Sequence, residues 1–327
     1  MPEVNKLQTI TVPGRVTIGI PTFNRSRLAV RAIGSALAQN YPDLEVIVSD
    51  NASSDDTIER INEIRNSRLV FFRQQPSLGM IANLDFCLRH ATGEFFLLLG
   101  DDDVLLPGAI EKLVEPFYHP PAGVKPETIG LVWCPCCITD ADGAQLWTTD
   151  AGPEVESPVS LLVAMFGGKR GPRLSSILVR TADAIAVGGY RQQHGALCDL
   201  GNWGQATLLR DHVVGLAHPL VQYTQHSGST TSQAAMRQWQ ELALTVHADL
   251  CASATARGDF AGARQLKAAR RNLLSSATLT VLIQMIGKPG WIRNVGREIL
   301  RSPSLLFTPY VGRRLLKEGW KMLRLFH

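Results

Sequence analysis

ATGEFFLLLGDDDVLLPG, residues 91–108, is the stretch on which the reading of this 327-residue chain turns. Phe95 to Leu99 is an unbroken apolar run. That is the pattern of a parallel strand covered on both faces, since a half-solvated strand alternates. The run stops at Gly100 and opens into Asp101, Asp102 and Asp103, after which Val104 to Gly108 leads into a new helix. Three adjacent carboxylates at the mouth of a buried strand repel one another, and a cation normally offsets that repulsion. A hard divalent ion accepts carboxylate oxygens while bridging substrate phosphates. The alternative is that the aspartates open and cap the following helix, a use that suits Asp103.

Upstream, the same alternation of strand and helix recurs. Residues 16–23 (VTIGIPTF) form a β-branched apolar run stopped by Pro21, and a helical pattern over 26–39 runs through Leu28, Ile33 and Leu37. Leu44 to Val48 is a second strand, ending in small polar residues that lead to a helix from about Asp56 to Arg65. Leu69 to Arg73 is a third strand. A turn over 76–79 then precedes a helix from Met80 to His90, with Ile81, Leu84 and Leu88 on one face. Short connections between alternating elements imply an α/β fold with a mostly parallel, doubly wound sheet, in which ligands gather at the carboxyl ends of the strands. The polar clusters at 21–25, 50–56 and 100–103 all lie at such ends.

Downstream of Ile129 the pattern loosens. Strands are expected near Gly130 to Cys136 and Ser175 to Val179, with a turn at Asp140 to Gly143. The loop 167–173 carries Lys169, Arg170 and Arg173 among glycines; it is either a solvated loop or a reach toward a diphosphate or an anionic acceptor. Beyond Ser232 the chain reads as helical, over 234–256 and 261–286, with a break at 287–290 and a basic tail. Residues 288–327 hold nine Lys or Arg against two Glu, interleaved with Trp291, Phe307, Trp320 and Phe326. Such a tail suits either an anionic membrane surface or packing on the catalytic domain. The resulting division is a tail over 1–14, a main domain over 15–232 with halves 15–115 and 116–232, and a helical region over 233–327.

The composition is globular, with 45% hydrophobic and 19% charged residues, and the net charge of +4 is far below that of a dedicated nucleic-acid binder. Residues 1–13 lack an apolar core, so no signal or membrane span is expected to begin there. The six cysteines are scattered apart from Cys134, Cys136 and Cys137, without a second ligand pair at zinc spacing, and are expected to be buried strand cysteines of a reducing, cytoplasmic compartment.

Four segments carry a resemblance: IPTFNR (20–25), SDNASSDDT (49–57), the helix containing Asn83, and residues 91–108. In order and spacing they resemble the family-2 glycosyltransferases of the GT-A fold, over about residues 15–230. The resemblance implies that Asp50 accepts from the nucleotide base, usually uracil, and that Pro21, Thr22 and Asn24 lie against the nucleoside with Asn83 nearby. It places Asp102 on a divalent metal, Mn²⁺ or Mg²⁺, and Asp101 at the ribose or beside the metal. Gly100 departs from the commonest form of the motif, in which that place is an aspartate. Cys198-Asp199-Leu200-Gly201-Asn202-Trp203 sits where relatives carry an acid and then a tryptophan at the start of an acceptor-facing helix. Asp199 is thereby implied as the general base, with an N-cap as its other reading. His226, in YTQHSGSTT (223–231), is implied at the metal or diphosphate. Asp103, Trp203, Lys169 and Arg170 are assigned to the acceptor or the diphosphate.

The function implied is inverting transfer of a sugar from a nucleotide-sugar, UDP first, to a hydroxyl of a glycan or lipid-linked acceptor. Bacterial surface polysaccharide synthesis at the inner face of the cell membrane is the expected setting. Two rivals share these features: a catalytically decayed binding relative, and a sugar nucleotidyltransferase. The second would need a glycine-rich phosphate loop where Pro21 to Arg25 stand.

Overall fold

The computed structural model describes residues 11–140, 142–168, 170–225 and 236–285. The chain divides into two compact units. One comprises residues 1–158, 172–192 and 198–225, and the other residues 159–171, 193–197 and 226–327.

The first unit is built on strands β1 Val12–Thr22, β2 Leu44–Asp50, β3 Leu69–Arg73 and β4 Gly93–Leu98, with helices α1 Ser26–Leu37, α2 Thr57–Asn62 and α3 Met80–Arg89 between them. These four strands pair in parallel in the order β3-β2-β1-β4, with Thr22 opposite Asp50 and Gly19 opposite Leu98. Ile18, Ile20, Val46, Val48, Phe95, Leu97 and Leu99 pack into one core with Ile33 of α1. Each such fully buried side chain contributes on the order of 1.5–3 kcal/mol. On the opposite face Gly19 permits a close approach: a Cβ there would stand 2.8 Å from that of Cys87 and 2.9 Å from the Phe96 ring.

Beyond β4 come β5 Val104–Leu105, α4 Ala109–Tyr118, β6 Ile129–Trp133, β7 Cys136–Thr139, β8 Gln145–Thr148, β9 Val155–Glu156, α5 Pro158–Phe166, β10 Ile177–Arg180, α6 Thr181–Ala186, α7 Cys198–Thr207, β11 His212–Gly215 and β12 Val221–Thr224. The main sheet continues as β10-β6-β11-β9, with β10 antiparallel to β4 and to β6. A second, four-stranded sheet runs β5-β12-β7-β8.

Two expected elements are differently drawn. The strand anticipated over 130–136 is two strands in different sheets. Pro135 lies between them and has no N–H to donate to a ladder, so the chain changes sheet there. The helix anticipated from Asp56 to Arg65 runs only from Thr57 to Asn62, with Thr57 and Ile61 its buried residues. The cysteines are all free thiols, buried except for half-buried Cys137; Cys87, Cys198 and Cys251 lie on helices and not on strands.

The second unit contains the helices α8 Met236–Ala256 and α9 Phe260–Met285, joined by a tight turn at Gly258. They run antiparallel: Gln240 bonds Thr278, and His247 bonds the carbonyl of Leu266. No helix among the described residues is long and apolar enough to cross a membrane. Lys169, His226 and the basic tail over 288–327 lie outside the described residues.

Candidate active site

The carboxyl ends of β1, β2 and β4 meet, as parallel register requires. At β4 the chain turns sharply: the amide of Asp103 donates to the carbonyl of Gly100 at 3.0 Å, closing a turn over the three aspartates. The turn gives its members three different surroundings. Asp101 is buried and accepts from the Thr22 hydroxyl at 2.8 Å and from Arg25 Nη1 at 2.9 Å. Burial and the neighbouring Asp102 push its carboxyl up to about 6, against the pull of Arg25 and Thr22. Asp102 is more open, and its Oδ2 accepts from the same Arg25 nitrogen at 2.9 Å. Arg31 of α1 holds this residue's carbonyl at 2.7 Å and the Thr224 hydroxyl at 3.0 Å.

Asp103, assigned from sequence to the acceptor or the diphosphate, turns inward instead. Its Oδ1 accepts from the amide of Thr224 at 3.0 Å and its Oδ2 from the Ser175 hydroxyl, and it is 2% exposed. Burial, then Asp102, raises its carboxyl. It joins β4, β10's leading turn and β12, and does not cap α4, whose N-terminus is preceded by Gly108. Gly100 is explained by the same packing. Its amide donates to Ser175 Oγ, and a Cβ on it would stand 3.0 Å from Asp102 Oδ1 and 3.1 Å from Asp103 Oδ2.

At β2, Asp50 is the last strand residue, and α2 begins only at Thr57, so Asp50 caps no helix. It is fully buried. One oxygen accepts from the Ser53 amide at 3.0 Å; the other, Oδ1, is buried without a hydrogen-bond partner. A buried acceptor left unsatisfied costs about 1–3 kcal/mol, and none of the described residues supplies Oδ1 with a donor. Asn24 adopts the left-handed conformation, at φ 52°, and ties two loops together: its amide donates to Ser53 Oγ and its Oδ1 accepts from the Ser54 amide, both at 2.8 Å. Pro21 lies on β1 beside Ser49. Asn83, expected near the nucleoside, is buried and engages Ser49 through both ends of its amide. Its Nδ2 donates to the Ser49 carbonyl at 2.9 Å, and its Oδ1 accepts from the Ser49 hydroxyl at 2.6 Å.

Asp199 lies in the first turn of α7, one residue inside the helix. Burial raises its carboxyl, opposed by the amides of Leu200 and Asp199 and by the positive charge of Arg173. Arg173 stacks over the Tyr223 ring at 5.3 Å. Burial, with Asp103, Asp102 and Asp199 adding and Arg173 opposing, pushes the Tyr223 hydroxyl up to about 12. Trp203, expected at the acceptor, is 5% exposed and is turned into the interior with nearly all of α7. Arg170 belongs to the second unit.

Arg25, Arg31 and Tyr223 went unassigned from sequence. The signal for Arg25 was its place in IPTFNR, directly after the loop residues that were assigned. As a metal site the aspartate turn has the right donors: carboxylate oxygens that already gather one cation, the ligand type taken by Mg²⁺ and Mn²⁺. Among the described residues no group of three or more His, Cys, Asp or Glu could hold a metal. Asp102 and Asp101 would therefore share an ion with other oxygen donors, phosphates among them.

Residues 17–130 match the family model "Glycosyl transferase family 2". A Campylobacter jejuni protein named GalNAc(5)-diNAcBac-PP-undecaprenol beta-1,3-glucosyltransferase is 39% identical over 104 residues, 31% of this chain and 34% of that one. The match thus spans about a third of that relative's length. Among solved structures, Staphylococcus aureus TarS with UDP-GlcNAc superposes with a TM-score of 0.55 at 15% identity, covering 93% of this chain and 92% of that one. The mannosyltransferase PcManGT from Pyrobaculum calidifontis, with GDP-Man and Mn²⁺, superposes with a TM-score of 0.52 at 17% identity, covering 92% and 83%. At these identities the two structures speak for the fold, and they are of the same GT-A type as the α/β sheet described above. The matched segment spans β1 to β4 and the aspartate turn, and over that segment the chain is similar to glycosyl transferase family 2.

Proposed function

We propose that the chain is an inverting, metal-dependent transferase that moves a sugar from a UDP-sugar to a hydroxyl of a lipid-linked or polysaccharide acceptor. The observation that carries this reading is the aspartate turn at the end of β4, where two carboxylates converge on one cation beside the strand ends that hold Asp50. Asp50 Oδ1 accepts the imide N–H of the uracil, a donor that fits a buried acceptor with none of its own. Pro21 and Thr22 border the nucleoside, and Asn24 keeps the two bordering loops together. Asp102 would hold the metal, with Asp101 beside it, and the metal when bound would neutralise the charge of the departing diphosphate; His226, implied at the metal or diphosphate by the sequence, lies outside the described residues.

Asp199 serves as the base. An inverting transfer is one displacement, in which a carboxylate removes the acceptor hydroxyl's proton as the oxygen attacks the anomeric carbon from the side opposite the leaving group. A carboxyl raised by burial is better matched to that proton than an exposed one. The relatives support the substrate class: the Campylobacter protein's name specifies an undecaprenol-diphosphate acceptor, and the two solved structures hold UDP-GlcNAc and GDP-Man. An acceptor of that kind would place the enzyme at the inner face of the cell membrane, with the basic residues of 288–327 against anionic lipid. Flotation with anionic liposomes that persists after removal of 288–327 would remove this membrane assignment.

The test is a thermal-shift screen of UDP, GDP, dTDP and CMP with and without Mn²⁺, followed by a transfer assay, on the wild type, Asp102→Ala and Asp199→Ala. A metal-dependent rise with UDP that Asp102→Ala abolishes and Asp199→Ala retains, with turnover lost in both, is the expected pattern. Binding without turnover in the wild type would favour a non-catalytic relative, and no shift with any nucleotide would refute the reading.

A further inference from the structure

Resting on the metal-site reading above, we propose that Arg25 is a resident counter-cation of the aspartate turn, which makes divalent-metal binding conditional on the donor's diphosphate. One nitrogen, Nη1, bridges Asp101 Oδ1 and Asp102 Oδ2, each at 2.9 Å. The three side chains are 27%, 9% and 18% exposed, so this is a shielded cluster and not a surface ion pair. Its geometry leaves a metal ion little choice. The second oxygen of Asp101 is taken by Thr22, and both oxygens of Asp103 by Ser175 and Thr224. A metal ion reaching Asp102 therefore meets a carboxylate already bonded to a guanidinium, and must displace that cation or stand beside it against its charge.

The guanidinium cannot yield by losing its proton. An arginine guanidinium stays protonated in proteins. It can yield only by moving. The aspartates are the fixed side of the pair: their turn is closed by the Asp103–Gly100 bond, and Arg31 grips the Asp102 carbonyl. Arg25 is the adaptable side, a long side chain at the residue just before α1, outside the helix. A diphosphate supplies both things the exchange lacks. It is a new anion for the guanidinium, and it brings the oxygen ligands that a site of two carboxylates does not provide. Metal and diphosphate then bind as one event, and by linkage each strengthens the other by the same factor. After transfer, departure of the diphosphate returns Arg25 to the carboxylates and releases the metal.

The experiment is a Mn²⁺ titration followed by electron paramagnetic resonance on the full chain, alone and with UDP or GDP, for wild type, Arg25→Gln, Arg25→Lys and Asp102→Asn. The wild type is expected to bind Mn²⁺ weakly alone and at least about tenfold more tightly with the diphosphate. Arg25→Gln should bind Mn²⁺ alone about tenfold more tightly than the wild type, with the diphosphate's enhancement reduced by a similar factor. Arg25→Lys, with a single ammonium in place of a planar fork, should fall between them, and it carries the test if Arg25→Gln does not fold. Equal Mn²⁺ affinity of wild type and Arg25 variants without nucleotide would overturn the proposal and leave the metal site standing. Undiminished Mn²⁺ uptake by Asp102→Asn with either diphosphate would overturn the metal-site reading, and the proposal with it.

Discussion

Restoring an aspartate at Gly100, where the commoner form of the motif has one, is expected to damage this protein. A Cβ at that position would lie 3.0 Å from Asp102 Oδ1, 3.1 Å from Asp103 Oδ2 and 3.5 Å from Asp103 Cγ. Neither carboxylate has room to retreat, since Asp102 is held by Arg25 and Asp103 by Ser175 and Thr224. For Gly100→Ala the overpacking alone costs about 1–3 kcal/mol. Gly100→Asp adds a carboxylate roughly 4 Å from two others, where each like-charge pair is worth up to about 4 kcal/mol at an effective dielectric of about 20. Arg25 offsets part of that repulsion, so the aspartate variant should lose about twice as much as the alanine variant.

In thermal unfolding this corresponds to a fall of roughly 2–10 °C for Gly100→Ala and about twice that for Gly100→Asp. The two losses differ in kind, and calorimetry with and without Mn²⁺ plus UDP separates them. The cations should recover much of the difference between the variants, because charge causes it, and none of the loss they share, because crowding causes that. A Gly100→Asp protein that melts at or above the wild type without metal would refute the packing argument, and with it the view that glycine here is required by the turn.

Further outcomes follow from Asp50 and Asp199. Asp50→Asn replaces an acceptor that awaits a donor with an amide of the same shape; UDP affinity should fall by about 10- to 100-fold, corresponding to roughly 1.5–3 kcal/mol, while the ligand-free protein keeps its melting temperature. A calorimetric Kd within twofold of the wild type would count against the assignment of Asp50 to the base. For Asp199 the folded pKa is raised, so the base is ionised only above the ordinary carboxylate range, and kcat/KM should rise with pH through that raised value. Arg173 lowers this pKa, so Arg173→Gln should move the acid limb to higher pH; an unmoved limb would separate Arg173 from the base. The stability consequence has a definite sign. A carboxyl raised on folding stabilises the folded state below its unfolded pKa and loses that contribution as pH rises through the folded value, so Asp199→Asn should melt higher than wild type at neutral pH, with the gain shrinking toward about pH 4.

What could be read from the sequence was local. Strands β1 to β4 announce themselves through continuous apolar runs, and the polar residues just past those runs fall at the sheet's carboxyl edge because parallel connections leave them nowhere else. Asp50 and the aspartate turn were legible for that reason. The pairings that assign each side chain its work were not legible. Arg25 reaches across 76 and 77 residues to its carboxylates, Ser175 across 72 to Asp103, and the Thr224 amide across 121, separations over which no periodicity carries information. Asn83 and Trp203 show the converse: a side chain in a suggestive place whose polar ends or ring are claimed by the framework.

The aspartate turn joins these two observations. In the sequence Asp101, Asp102 and Asp103 are three copies of one residue, and charge repulsion argues for a cation without saying which of them meets it. The fold distinguishes them by what arrives from elsewhere. Thr22 and Arg25 enclose the first, and Ser175 and Thr224 internalise the third. The second stays the most open of the three side chains, with Arg25 on one oxygen. The closed turn that sorts them brings the Gly100 Cα close to two of the carboxylates, and a side chain there would collide with what the turn arranges. Glycine at this position is then a condition for the neighbouring acids to take separate roles, and its departure from the common motif is no sign of a site losing its function.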